Sequence, residues 1–186
     1  MFLKPPAARG RRYYARMTWT RLSRLFHWVG AAAIFYLLIH GFWMVRLPRE
    51  MRFEHYEMHA AVGYLFIALT LGRLAWRWTH AVPPQPAAAA RWEVLAAHAG
   101  HWGLYLLMLA SALSGWALAG TFSRPLDSVF GGLRIPPLVS DRSLHGTMEQ
   151  AHVLLSWALA LLVAVHVASA FYHLLWKKDD VMQRML

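Results

Sequence analysis

The chain has 186 residues, 58% of them hydrophobic, with 10 Trp, no Cys and a formal net charge of +10. That is room for one compact membrane domain and little besides. Without cysteine there is no disulfide, no thiolate metal site and no covalent CxxCH haem attachment, so any haem is held non-covalently, in b-type fashion.

Residues 1–24 form a basic arm, with Lys4, Arg9, Arg11, Arg12, Arg16, Arg21 and Arg24 and no acid. Such an arm also suits nucleic acid, but ahead of apolar segments it reads as a topology signal, and no nucleic-acid partner is expected. The apolar run that follows starts late, is full length and leads into Arg46, which argues against a cleaved signal peptide.

Four segments, 25–45, 60–78, 103–122 and 154–176, supply the roughly 20 apolar helical residues that a bilayer core demands. Trp19, Trp28, Trp43, Trp76, Trp78, Trp102 and Trp176 crowd their ends, as interfacial anchors do. A soluble bundle with very apolar helices is the weaker alternative. The expected fold is all-α: a membrane-embedded four-helix bundle over 25–176, with a short tail over 177–186.

Positive charge sets the orientation. The first connection balances Arg46, Arg49 and Arg52 against Glu50, Glu54 and Glu57. The second sets Arg73, Arg77 and Arg91 against Glu93 alone, and the third balances Arg124, Arg134 and Arg142 against Asp127, Asp141 and Glu149. Because the rule counts Lys and Arg, the connections do not decide; the N-terminal arm does, and places both termini in the cytoplasm. The second connection, over 79–90, is a Pro/Ala stretch that reads as an extended cytoplasmic linker. The third, over 123–144, has turns at Gly131-Gly132 and Pro136-Pro137 and is long enough to cover the outer end of the bundle or dock a partner.

The histidines carry the chemistry. His152 and His166 lie fourteen residues apart. That is nearly four helical turns, which puts both imidazoles on one face roughly 21 Å apart. His27 and His59 open the first two segments. An ionisable side chain in a membrane segment is a functional residue by default. Paired across helices, these four give an inner pair, His27 with His166, and an outer pair, His59 with His152. Two stacked haems with bis-imidazole ligation need that arrangement, which leaves no open iron position for oxygen chemistry. His173 lies seven residues beyond His166 on the same face, and its depth fits His27 better, so spacing alone leaves both open as the inner ligand. Gly30, Gly63, Ala164, Ala168 and Ala170 beside the ligands make room for a flat macrocycle. His40 reads as a hydrogen-bonding residue between helices and His80 as a headgroup-level one. His55 and His59 (HYEMH) have a zinc-compatible spacing but lack the glutamate of a metalloprotease motif.

These pieces resemble the prokaryotic cytochrome b561 family of four-helix dihaem membrane proteins. They are SRLFHW at 23–28, HAAVG at 59–63, GRLAWR at 72–77, AHAGH at 97–101 and H-x13-H followed by VASAFYH at 152–173, with KKDDVMQRML closing the chain. The resemblance implies His27 with His166 on the cytoplasmic side and His59 with His152 on the outer side. It favours His166 over His173, and makes His98, His101 and His173 candidate propionate or quinone contacts. The chain departs from the family in having Leu174 where a second adjacent histidine is common.

Propionates need cationic partners at the membrane faces. Arg24, Arg73 and Arg77 are the inner candidates, and Arg46, Arg49 or Arg52 the outer ones. The expected function is a dihaem b-type electron carrier in the bacterial inner membrane. It would exchange electrons between the quinone pool, ubiquinone as substrate, and an outer-face, periplasmic partner, with superoxide one candidate. An oxidoreductase activity fits, although no catalytic residue stands out. One rival is a haem-bearing anchor subunit of a larger dehydrogenase or hydrogenase-like complex. Another is a His-lined metal or proton transporter, disfavoured because the four predicted spans contain no Asp or Glu.

Overall fold

The computed structural model describes residues 18–84, 89–124, 126, 128–129 and 132–186. Lys4, Arg9, Arg11, Arg12 and Arg16 of the basic arm, residues 85–88 of the linker, and Asp127 and Gly131 lie outside the described residues. Four helices dominate: α1 (Arg21–Met44), α2 (Arg49–Thr79), α3 (Arg91–Ala119) and α4 (His145–Tyr172). All four are long and apolar enough to cross a membrane, α4 together with its flanking turns.

Local chemistry sets the boundaries. Thr20 caps α1, its hydroxyl accepting from the Ser23 amide at 3.2 Å. Pro48 has no N–H to donate and precedes the first residue of α2, so one helix stops and the next starts within a few residues. At α3 the Glu93 carboxylate accepts the Ala90 amide at 2.9 Å. A 3₁₀ turn, Arg142–Leu144, leads into α4, with Asp141 accepting from the Ser143 amide at 2.9 Å. At its far end α4 passes into a π turn, His173–Lys177, which Lys178 ends in the left-handed conformation at φ 52°. Helices α2 and α3 begin well before the predicted starts at 60 and 103. Those extra turns carry charged residues, which hydropathy discounts but helical hydrogen bonding does not. The third connection also holds a two-stranded antiparallel hairpin, Ser128–Val129 with Leu133–Arg134, turned through Gly132 at φ 140°.

Successive helices pack on one another: α1 on α2, α2 on α3 and α3 on α4. Among the described residues the backbones of α1 and α4 scarcely approach; they meet through side chains such as Phe42 and Trp157, whose rings lie 4.4 Å apart. A mid-bundle layer of Ile34, Phe66, Met108, Leu159 and Val163 takes side chains from all four helices. Outward-facing Ile39, Leu106, Leu154 and Leu161 are largely exposed, a surface suited to lipid rather than water. Phe66 is 2% exposed at the centre of that layer. Phe66→Ala should therefore cost about 3–5 kcal/mol of packing, read as a lowered melting temperature of the detergent-solubilised protein.

Candidate functional site

Residues from two helices meet at each end of the bundle. At the end bearing the α1–α2 and α3–α4 connections, His59 of α2 faces His152 of α4, their ring centroids 6.2 Å apart at an interplanar angle of 83°. Both line a largely apolar cavity of about 400 Å³, together with Gly41, Gly63, Gly115 and Phe66. Two imidazoles on opposite axial positions of one iron hold their centroids roughly 6 Å apart. The pair fits that requirement.

The hydrogen bonds around His152 fix its tautomer. Its Nδ1 lies 3.0 Å from the Ser111 carbonyl and 3.1 Å from the Ser114 hydroxyl. A carbonyl can only accept, so Nδ1 carries the proton and Nε2 keeps the lone pair that a metal needs. His59 differs. Its Nδ1 is buried with no hydrogen-bond partner among the described residues, and its ring packs against Gly41 and stacks on His40 at 5.9 Å. A buried imidazole left this way is costly unless it serves a ligand.

At the opposite end, which carries both described chain ends, His27 of α1 and His166 of α4 have ring centroids again 6.2 Å apart, at 45°. His101 of α3 joins them, 5.7 Å from His166. The Nδ1 of His27 is buried and has no hydrogen-bond partner among the described residues. Arg73 lies over the Tyr105 ring at 5.5 Å, and Arg77 sits 5.8–5.9 Å from the rings of Trp19, Trp102 and Tyr105. Both arginines thus border the site. Arg24 instead donates to the Leu186 carbonyl oxygen at 2.5 Å.

The remaining histidines divide clearly. The His173 Nδ1 binds the Asp179 carboxylate at 2.7 Å. His98 is exposed, with Nδ1 on the Val94 carbonyl at 2.7 Å, so only His101 of the AHAGH pair enters the site. His40 meets the neighbouring helix as the sequence suggested, its Nε2 3.3 Å from the His55 Nδ1. His80 stacks on Trp76 at 3.3 Å. Among the described residues no group of three or more His, Asp or Glu is placed to hold a bare metal ion.

The third connection lies over the cavity end. Leu126 is buried and lines the cavity, its carbonyl accepting from the Tyr64 hydroxyl at 3.3 Å. Trp116 donates to the Pro136 carbonyl at 2.9 Å, and Arg142 to the Ser123 carbonyl at 3.0 Å. Arg46 and Glu149 also line the cavity.

Sequence reasoning missed Gly41, Gly115, Ser111 and Ser114. A Cβ on Gly115 would come 2.9 Å from the His152 ring, and one on Gly41 3.1 Å from the His59 ring. Each contacts a histidine of another helix, which spacing along the chain cannot reveal. Gly30 and Gly63, singled out for standing one turn past a ligand, have open space where a Cβ would go.

The family model for prokaryotic cytochrome b561 matches residues 18–186. Cytochrome b561 homolog 2 of Escherichia coli is 32% identical over 168 residues, 89% of each chain. The probable superoxide oxidase CybB of Yersinia pestis is 26% identical over 140 residues, 75% of this chain and 78% of its own. Cytochrome b561 homolog 1 of Escherichia coli is 29% identical over 139 residues, 73% of this chain and 74% of its own.

Proposed function

The chain belongs to the prokaryotic cytochrome b561 family of membrane electron-transfer proteins, and from that premise we propose that it holds two b haems and carries electrons between them across the inner membrane. The observation that carries this reading is the repetition of one geometry at both ends: two imidazoles from different helices at 6.2 Å. His27 and His166 would hold one haem, His59 and His152 the other. Bound haem supplies a one-electron ferric/ferrous couple, tuned by its axial ligands and their hydrogen bonds.

The protein's own groups do the rest. Ser111 and Ser114 hold the His152 tautomer and raise its basicity. Arg73, near His27 and His166, and Arg77, near His101, supply positive charge at this end, suited to propionates. The apolar Ile34–Phe66–Met108 layer stands between the two sites. Both described chain ends lie at the His27 end, and the basic arm assigns that end to the cytoplasm. His59 and His152 then lie on the periplasmic side.

The electron acceptor fitting a membrane location is a quinone, which takes two electrons and two protons to become a quinol. Superoxide is a fitting periplasmic donor, because a relative bears the name probable superoxide oxidase and Arg46 lines the cavity on that side. Two superoxide anions release two electrons and two O₂, which balances one quinone reduced. Steering by charge is limited here: Glu149 shares the lining with Arg46, and Arg52 is tied to the Leu47 carbonyl at 2.6 Å.

A reduced-minus-oxidised spectrum of the purified protein, with haem quantified per chain, tests the core of the reading. Two low-spin b haems per chain, unreactive to carbon monoxide, are expected. A chain that takes up no haem in a haem-replete host defeats it.

A further inference from the structure

The bundle is open along one seam, and the C-terminal tail crosses it. Helices α1 and α4 carry His27 and His166, yet their backbones scarcely approach each other among the described residues. Past α4 the chain turns back at Lys178 and runs to the start of α1. There Arg24 donates to the Leu186 carbonyl oxygen at 2.5 Å and the Trp28 indole to the Met185 carbonyl at 2.9 Å. The Trp19 amide donates to the Arg184 carbonyl at 3.3 Å. Arg24 and Trp28 flank His27 on both sides in sequence.

The α4 end of this strap is equally tied down. Asp179 accepts from the His173 Nδ1 at 2.7 Å and from the Val181 amide at 3.1 Å. Burial opposes ionisation of its carboxyl, but these bonds and the nearby Lys177 hold its pKa below the usual value. Lys177 in turn binds Glu93 at the start of α3, at 2.6 Å.

Arg184 sits where these ties converge. It is 7% exposed, and its guanidinium donates to the Pro84 carbonyl of the α2–α3 connection at 2.7 Å and pairs with Asp180 at 2.9 Å. Burying this guanidinium is costly, the more so because its Nε is buried with no hydrogen-bond partner among the described residues, while its other contacts join the tail to the α2–α3 connection. We propose that Arg184 is a positioning residue: through the tail it clasps α1 to α4 and keeps His27 opposite His166. Among the described residues the clasp touches nothing at the His59–His152 end, so its influence is confined to one site. This rests on the two-haem reading above.

The test is Arg184→Gln in the full chain. Haem is measured per chain, low-spin EPR signals are assigned by comparison with His27→Ala and His59→Ala, and haem loss to apomyoglobin is timed. Release of the His27–His166 haem should quicken on the order of tenfold or more, with a shifted EPR signal. The other haem should stay as in the wild type. Arg184→Lys, which retains one cationic donor, should restore part of the difference. Both haems held at wild-type rates and signals would overturn the clasp, as would equal loss of both, which means general unfolding. A wild-type chain without two haems fails the functional reading first, so the two failures are distinguishable.

Discussion

His166→Ala should leave one haem per chain in place of two, while His173→Ala keeps both. Sequence spacing left these histidines open as partners of His27, since seven helical residues put both on one face. Their surroundings separate them. His166 faces His27 at a centroid distance that suits a shared iron, with His101 closing the third side. His173 lies where α4 gives way to the π turn, and among the described residues its ring packs on Tyr172 rather than facing His27. Because removing one of the two axial histidines leaves a non-covalent haem held by a single protein bond, the effect should be loss of a whole equivalent rather than a shifted band. The pyridine haemochrome assay reads the stoichiometry, and EPR identifies the surviving site as His59–His152. One haem lost from His173→Ala, with both retained in His166→Ala, would reverse the assignment. His173→Ala should have a smaller effect of its own, loosening the Asp179 end of the tail.

Much of this was legible in the sequence because membrane solvation is unforgiving. A bilayer requires long apolar helices with saturated backbones, so four hydropathy runs already imply four helices. Histidines inside such runs are conspicuous, and their spacing along α4 fixes which share a face. The sequence could not show what depends on neighbouring helices. Nothing in the run around Gly115 says that the His152 ring lies against it, nor that Ser111 and Ser114 hold that ring. The AHAGH pair looked like one unit, yet the helix turns His101 inward and leaves His98 exposed. The role of Arg24 was also hidden. It stands three residues before His27 and looked suited to a propionate, but its partner Leu186 lies at the far end of the chain. Charged turns at the starts of α2 and α3 were lost for the opposite reason. Hydropathy marks where a helix meets lipid, whereas the helix itself continues into the interface.

Gly63→Leu should remove the haem of the His59–His152 site while leaving the fold at least as stable. The space around Gly63 is open. Among the described residues, and apart from the backbone of its own helix, no atom stands within 4 Å of where its Cβ would go, although the residue lines the cavity. Replacing a mid-helix glycine by a better helix former gains about 1 kcal/mol of helix stability. The added Cβ meets open space on a residue that lines the cavity, so the main cost of the substitution arises if something else must occupy that space. Gly115→Val attacks the same site differently, because its Cβ would press on the His152 ring at 2.9 Å and drive it from its place. Both variants should bind one haem per chain, at the His27–His166 site, with Gly63→Leu melting as high as the wild-type apoprotein. Gly41→Ala, whose closest contact is 3.1 Å, should be milder and slow haem uptake without abolishing it. If Gly63→Leu binds two haems with unchanged spectra, the cavity between His59 and His152 is not where the macrocycle lies, and that pair loses its claim to the iron.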